Sequence, residues 1–173
     1  IEMVEDVFSP EIADQIIYES KLDSEGAYTA VGTYDHKEIL AMVTRLSELK
    51  SIPINDLVQA FGKHLLMRFT KLHPSFFDNV NDTFSFLDTI DNHVHVDVIK
   101  LYPDAELPSF TIERPDKVSL IMSYQSTRPF AMLAQGLIEG AAEYFNDNIS
   151  INMVDLSNGE GNHARFELKK IVL

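Results

Sequence analysis

Cysteine is absent from this 173-residue chain, and so is tryptophan. Without a thiol there is no disulfide and no thiolate-ligated centre, so any bound metal must rely on histidine, carboxylate or tyrosine. Positive charge is scarce as well: 14 Lys and Arg stand against 27 Asp and Glu, a formal net charge of −13. The few cations are scattered, and a field of that sign repels phosphate backbones, which excludes nucleic acid as a partner. No apolar run is long enough to span a bilayer and no signal-peptide pattern opens the chain, so no membrane association and a cytoplasmic location are expected.

What is present suits one folded domain over residues 1–173, with 45% hydrophobic and 10% aromatic residues. Ile1 to Phe8 reads as the middle of an amphipathic helix, so a short preceding piece is expected. Ser9-Pro10-Glu11 combines a serine cap, a first-turn proline and an acid near the positive end of the dipole, predicting a helix from Pro10 to Ser20. Lys21 to Asp35 has no sustained period and reads as a loop. Asp35 and Glu38 have capping-box spacing ahead of a second helix bearing Ile39, Met42, Val43, Leu46 and Leu49. Asn55 is read as the cap of a third, which ends at His73-Pro74. From Asp82 to Tyr102 two readings compete. Val94 to Ile99 alternates like a strand, yet Leu87, Ile90, Val94, Val98 and Leu101 form one helical stripe, and the longer period favours helix. Strands are predicted at Ser109 to Glu113 and Lys117 to Gln125. A helix follows from Phe130 to Phe145 with Pro129 in its first turn, where Gly136 and Gly140 leave a bare groove. Strands from Ile149 to Leu156 and His163 to Val172 flank a hairpin signal at Ser157 to Gly161. The expected class is α+β: a helical subdomain over about 1–80, then a ligand helix and an α/β subdomain over about 81–173 with a four-stranded antiparallel sheet and a packed helix.

Two constellations carry chemistry. On a strand, His93, His95 and Asp97 would share a side and chelate a metal; on a helix, residues two apart diverge by roughly 200°, and one imidazole is left facing any given pocket. The second is Tyr124-x-Ser126-x-Arg128, read as three side chains emerging together at the end of a strand. Two hydroxyls and a guanidinium fork match a carboxylate. Taken singly, His95 reads more often as a hydrogen-bonded core histidine than as a ligand, and the triplet as a polar strand edge.

Together the residues say more. His95 with Tyr102-Pro103 seven residues on, Pro108, then Tyr124-x-Ser126-x-Arg128 and Gly136-Leu137-Ile138-Glu139-Gly140 resemble the haem-nitric oxide/oxygen-binding (H-NOX) family over nearly the whole chain. The resemblance implies a haem b lying between the helical and α/β halves. It makes His95 the proximal ligand of the iron, Tyr124, Ser126 and Arg128 the binders of the propionates, and Pro108 and Leu137 the residues that press on the porphyrin. Leu133 falls where oxygen-binding members carry a distal tyrosine. A leucine donates no hydrogen bond, so NO and CO are the expected ligands and O2 is not. The cysteine zinc site of some members cannot exist here, although His163 lies near its position.

The resemblance further implies a sensor with no catalytic residues. NO weakens or breaks the Fe-His95 bond, and the resulting movement regulates a separate histidine kinase or cyclic-di-GMP enzyme. An acidic surface calls for basic residues on that partner. Two alternatives remain at the sequence level. One is a haem-free module of similar fold that binds a small carboxylate or a protein. The other is an enzyme with His95 as general base and Tyr124 and Arg128 holding an acidic substrate, although neither a nucleophile nor a carboxylate pair accompanies them.

Overall fold

A computed structural model describes residues 1–29 and 32–171. The chain divides into two compact units, Ile1–Val58 and Gln59–Leu173.

The first unit holds helices α1 (Glu2–Val7), α2 (Pro10–Glu19) and α3 (His36–Lys50) and the start of α4 (Ile54–Leu72). Its core is Val4, Ala13, Ile16, Leu46 and Leu57, drawn from all four helices at helical spacing. Ser9 caps α2 by accepting the Ile12 amide, as its position ahead of Pro10 predicts. The α3 start is capped differently from the expectation. Asp35 accepts from the Lys37 amide, while the Glu38 carboxylate turns away from the helix end. It accepts from the Ser24 amide and hydroxyl at 2.9 and 2.6 Å and from the Tyr28 hydroxyl at 2.7 Å. Asn55 does not cap α4, because the helix begins one residue earlier and the Pro53 carbonyl takes the first amides, those of Asp56 and Leu57. Ala30 and Val31, within the expected loop, lie outside the described residues.

In the second unit the Asp82 to Tyr102 segment is helical in kind, as the longer period predicts, but not as one piece. It comprises α5 (Thr83–Leu87), a π-helical turn (Ile90–Val94) and α6 (His95–Leu101). A turn so widened is a local insertion in the helical ladder. Its closing bond runs from the His95 amide to the Ile90 carbonyl, five residues back.

Strands β1 (Ser109–Glu113), β2 (Ser119–Gln125), β3 (Ile149–Asp155) and β4 (His163–Lys170) form one antiparallel sheet in the order β1-β2-β4-β3. The four strands match the sequence expectation; Val172, assigned there to the last strand, lies outside the described residues. Leu120, Met122 and Tyr124 point inward from β2 and Ala164, Phe166 and Leu168 from β4, the period-two pattern of a sheet with one buried face. Helix α7 (Ala131–Tyr144) covers that face. It begins after Pro129 rather than around it.

Gly62 of α4 and Gly136 of α7 meet with almost no side-chain volume between them. A Cβ added to Gly136 would fall 2.0 Å from the Gln59 carbonyl oxygen, and one added to Gly62 would fall 2.4 Å from that of Leu133. The groove read from Gly136 and Gly140 is thus occupied by the backbone of α4. This crossing sets Leu65, Leu66 and Phe69 beside Leu133 and Leu137.

Candidate functional site

Within the second unit these elements enclose a cavity of about 300 Å³. One wall is the π turn and α6, with Ile90, Val94, His95 and Val98; another is α4 with α7; the floor is Met122 and Phe110 from the sheet. Nearly all of this lining is aliphatic or aromatic. The exceptions are His95 on one side and, at the β2 exit, Tyr124, Ser126, Arg128 and the neighbouring Glu106.

All seven residues singled out in the sequence, His95, Pro108, Tyr124, Ser126, Arg128, Leu133 and Leu137, line this one cavity. His93 does not: its Nε2 lies 3.1 Å from the Ser75 carbonyl oxygen and its ring is 43% exposed, against 17% for His95. The two imidazoles therefore diverge as the helical reading requires. Among the described residues no group of three His, Asp or Glu side chains is arranged to hold a metal ion.

His95 Nδ1 lies 2.9 Å from Asp91 Oδ1, an oxygen shielded from solvent that completes no well-aligned hydrogen bond among the described residues. Asp91 Oδ2 accepts the amide of Phe110, the second residue of β1, at 3.0 Å. Burial pushes the His95 pKa below its ordinary value, with the Asp91 carboxylate pulling the other way. A neutral imidazole has one ring nitrogen with a free lone pair, and Nε2 is the one on the side away from Asp91.

At the cavity mouth only Tyr124 belongs to the strand. Ser126 and Arg128 follow it in the turn to α7, so their convergence rests on turn geometry rather than strand alternation. The Ser126 amide donates to the Asn162 carbonyl and the Ala131 amide to that of Gly161, each at 2.9 Å. The β3–β4 hairpin turn, with Gly161 at φ +70°, thereby braces both ends of the segment. Ser126 Oγ accepts the Arg128 amide at 3.1 Å, leaving its own proton to donate. The Tyr124 hydroxyl donates to the Arg128 carbonyl at a long 3.4 Å, and burial raises its pKa, so it stays a protonated donor. Arg128 Nη2 donates to Glu106 at 3.1 Å, while its Nε is buried without a partner among the described residues.

Sequence reasoning missed Asp91 and Glu106. Asp91 precedes His95 by four residues, the spacing at which helical side chains meet, and that signal was legible. Glu106 sits in a loop with no period to flag it. The apolar lining from Phe69, Phe86, Phe110 and Met122 was legible only as core.

A helical layer with an antiparallel sheet around an apolar cavity, an imidazole in its wall and hydrogen-bond donors at its mouth has the form of a cofactor-binding domain. The chain matches the model of the haem-NO-binding family over residues 1–153 and belongs to that family, which binds haem. The H-NOX protein from K. algicida, solved unliganded in the Fe(II) state, is 35% identical with a TM-score of 0.92, the match covering 99% of this chain and 92% of that one. The H-NOX from Shewanella woodyi, solved with IWP-051 in the Fe(II)CO state, is 40% identical with a TM-score of 0.82, over 98% of this chain and 90% of that one. The S. oneidensis H-NOX protein in the Fe(II)NO state shares the fold at 23% identity and a TM-score of 0.90, over 99% and 94% of the two chains.

Proposed function

We propose that this protein is a haem-based nitric oxide sensor. The observation that carries the reading is that a single apolar cavity collects one imidazole and, at its mouth, a tyrosine, a serine and an arginine suited to a carboxylate. The lining fits haem b: a flat apolar macrocycle matches the aliphatic walls, and a propionate would supply the partner that the buried Arg128 Nε lacks. Glu106 would then share Arg128 with the incoming carboxylate.

When bound, the haem supplies a ferrous iron able to take a diatomic gas. His95 would hold that iron through Nε2. Tyr124 and Ser126 would donate to the propionates alongside Arg128, and Pro108 and Leu137 would bear on the ring. The wall formed by Leu65, Leu66, Leu133, Ala134, Leu137 and Ile138 contains no donor. Oxygen depends on such a donor to stabilise the charge it draws on binding, whereas NO and CO do not, so the wall favours those two gases. CO binding is in keeping with the Fe(II)CO state of the S. woodyi relative.

His95 would carry the signal: with its hold on the iron weakened, α6 would lose its tether to the cavity and could take a second position, a two-state element biased by ligand. That movement would regulate a partner, a histidine kinase or a cyclic-di-GMP enzyme.

Absorption spectra of the reduced, haem-reconstituted protein test this directly. A strong Soret band, a shift with NO to a species without bound histidine, a CO complex, and no stable oxygenated form in air are expected. No Soret band after haem addition would favour a haem-free binding module. A stable oxygen complex would overturn the selectivity, and an NO complex retaining His95 would overturn the release.

A further inference from the structure

We propose that Asp91 is the positioning residue for His95, selecting the imidazole tautomer that can ligate and tying its orientation to strand β1. The proposal rests on the reading of His95 as the iron ligand, and goes beyond it in assigning a role to a residue outside the ligand and propionate set.

The two oxygens of Asp91 do different things. Oδ1 lies 2.9 Å from His95 Nδ1, is closed off from water, and among the described residues completes no well-aligned hydrogen bond. A buried carboxylate oxygen is stabilised there by a proton on Nδ1, which leaves Nε2 as the bare nitrogen. Oδ2 is held by the Phe110 amide at 3.0 Å, so the carboxylate is fixed to β1 and cannot follow the imidazole by rotating freely. Phe110 also packs its ring against that of His95, with centroids 5.6 Å apart. Strand β1 therefore grips the imidazole twice, once through Asp91 and once through the Phe110 ring.

The π turn supplies the geometry. Asp91 lies in the widened turn and His95 opens the helix after it, with the His95 amide bonded five residues back to Ile90. The Asp91 contact thus spans the junction between the two helical forms. A carboxylate behind a ligating imidazole raises its basicity and holds its ring plane, and loss of such partners commonly costs about 10–100-fold in metal affinity. It also sets how firmly His95 is retained, and hence how readily it can be released.

Asp91→Asn is the informative variant because it preserves shape while reversing one bond. The asparagine oxygen can still accept the Phe110 amide, but its NH₂ then faces Nδ1 and favours the tautomer with the proton on Nε2, which cannot ligate. In the haem-free protein, ¹⁵N NMR of His95 should report Nδ1–H in the parent and a shift toward Nε2–H in D91N. In the reduced haem-bound protein, the iron-histidine stretching band should move to lower frequency in D91N and return toward the parent value in D91E, with haem affinity falling about tenfold or more in D91N. An unchanged His95 tautomer together with an unchanged stretching band in D91N would overturn the role of Asp91. A parent protein with no iron-histidine band would instead overturn the assignment of His95 as ligand, and the haem-free NMR result would still decide whether Asp91 selects the tautomer. Should D91N fail to fold, D91A serves in its place: removing the carboxylate must lower the band if Asp91 supports the imidazole, and an unmoved band refutes it.

Discussion

His93 and His95 are two imidazoles separated by a single residue, and their surroundings set them apart. His93 reaches out to the Ser75 carbonyl and stays about half exposed, whereas His95 is enclosed by apolar side chains with Asp91 beside its Nδ1. Replacing each with glycine should therefore give unequal results. H95G should lose the iron-histidine band and regain haem binding when free imidazole is supplied to fill the gap, while H93G should keep the parent spectrum. Rescue of H93G rather than H95G would reverse the ligand assignment. At this scale the sequence was informative, since the seven residues it picked out share one cavity. Asp91 escaped notice although its four-residue spacing to His95 was legible, because spacing alone does not separate a buried contact from a solvated pair.

Elements position those residues, and two of their contacts make measurable predictions. The α4–α7 crossing at Gly62 and Gly136 leaves no room for a methyl group, so G136A must push the helices apart, strain the Leu133 and Leu137 wall and destabilise the protein by about 1–3 kcal/mol. A fall in the urea midpoint of unfolding with unchanged slope would register this. Asp82 closes a capping box at the start of α5 with Ser85 and also accepts from Lys170 Nζ at 2.6 Å. Burial works to raise its pKa, but the Lys170 and Ser85 hydrogen bonds outweigh this and hold it at about 2, below the usual 3.8. A lowered carboxyl pKa contributes stability above the unfolded value, so this contribution is complete above about pH 4 and is lost as the pH falls toward 2. D82A should cost about 1 kcal/mol at neutral pH through the lost cap and should flatten stability over that acid range. Denaturant titrations of both proteins at several pH values check it; parallel pH profiles would contradict the linkage. The helices and strands were largely legible because their periods are long enough to count. The π turn was not, since widening a helix by one residue per turn leaves the apolar stripe nearly unchanged.

For the molecule as a whole, the cavity belongs to the second unit, and haem should stabilise that unit by binding its folded state alone. At free haem about a hundredfold above the dissociation constant the gain is about 2.7 kcal/mol. The thermal midpoint should then rise by roughly 5–10 °C on reconstitution. Circular dichroism melts with and without haem measure this, and identical midpoints would argue against the cofactor. The net charge of −13 bears on association rather than folding: a basic partner surface would be steered toward this protein and its on-rate would fall with added salt.

By itself the sequence determined the chemistry on offer and most of the scaffold. Absence of cysteine narrowed the ligand types, helical period separated His95 from His93, and alternation marked the strands, because each of these depends on residue identity and local spacing alone. Only the tertiary structure decided what depends on distance across the chain. It brought Ser126 and Arg128 to the cavity through hydrogen bonds to the β3–β4 turn, left Arg128 Nε without a partner, and set Asp91 between His95 and Phe110. Such contacts join segments with no common period, and their energies appear only once the backbone has closed around them.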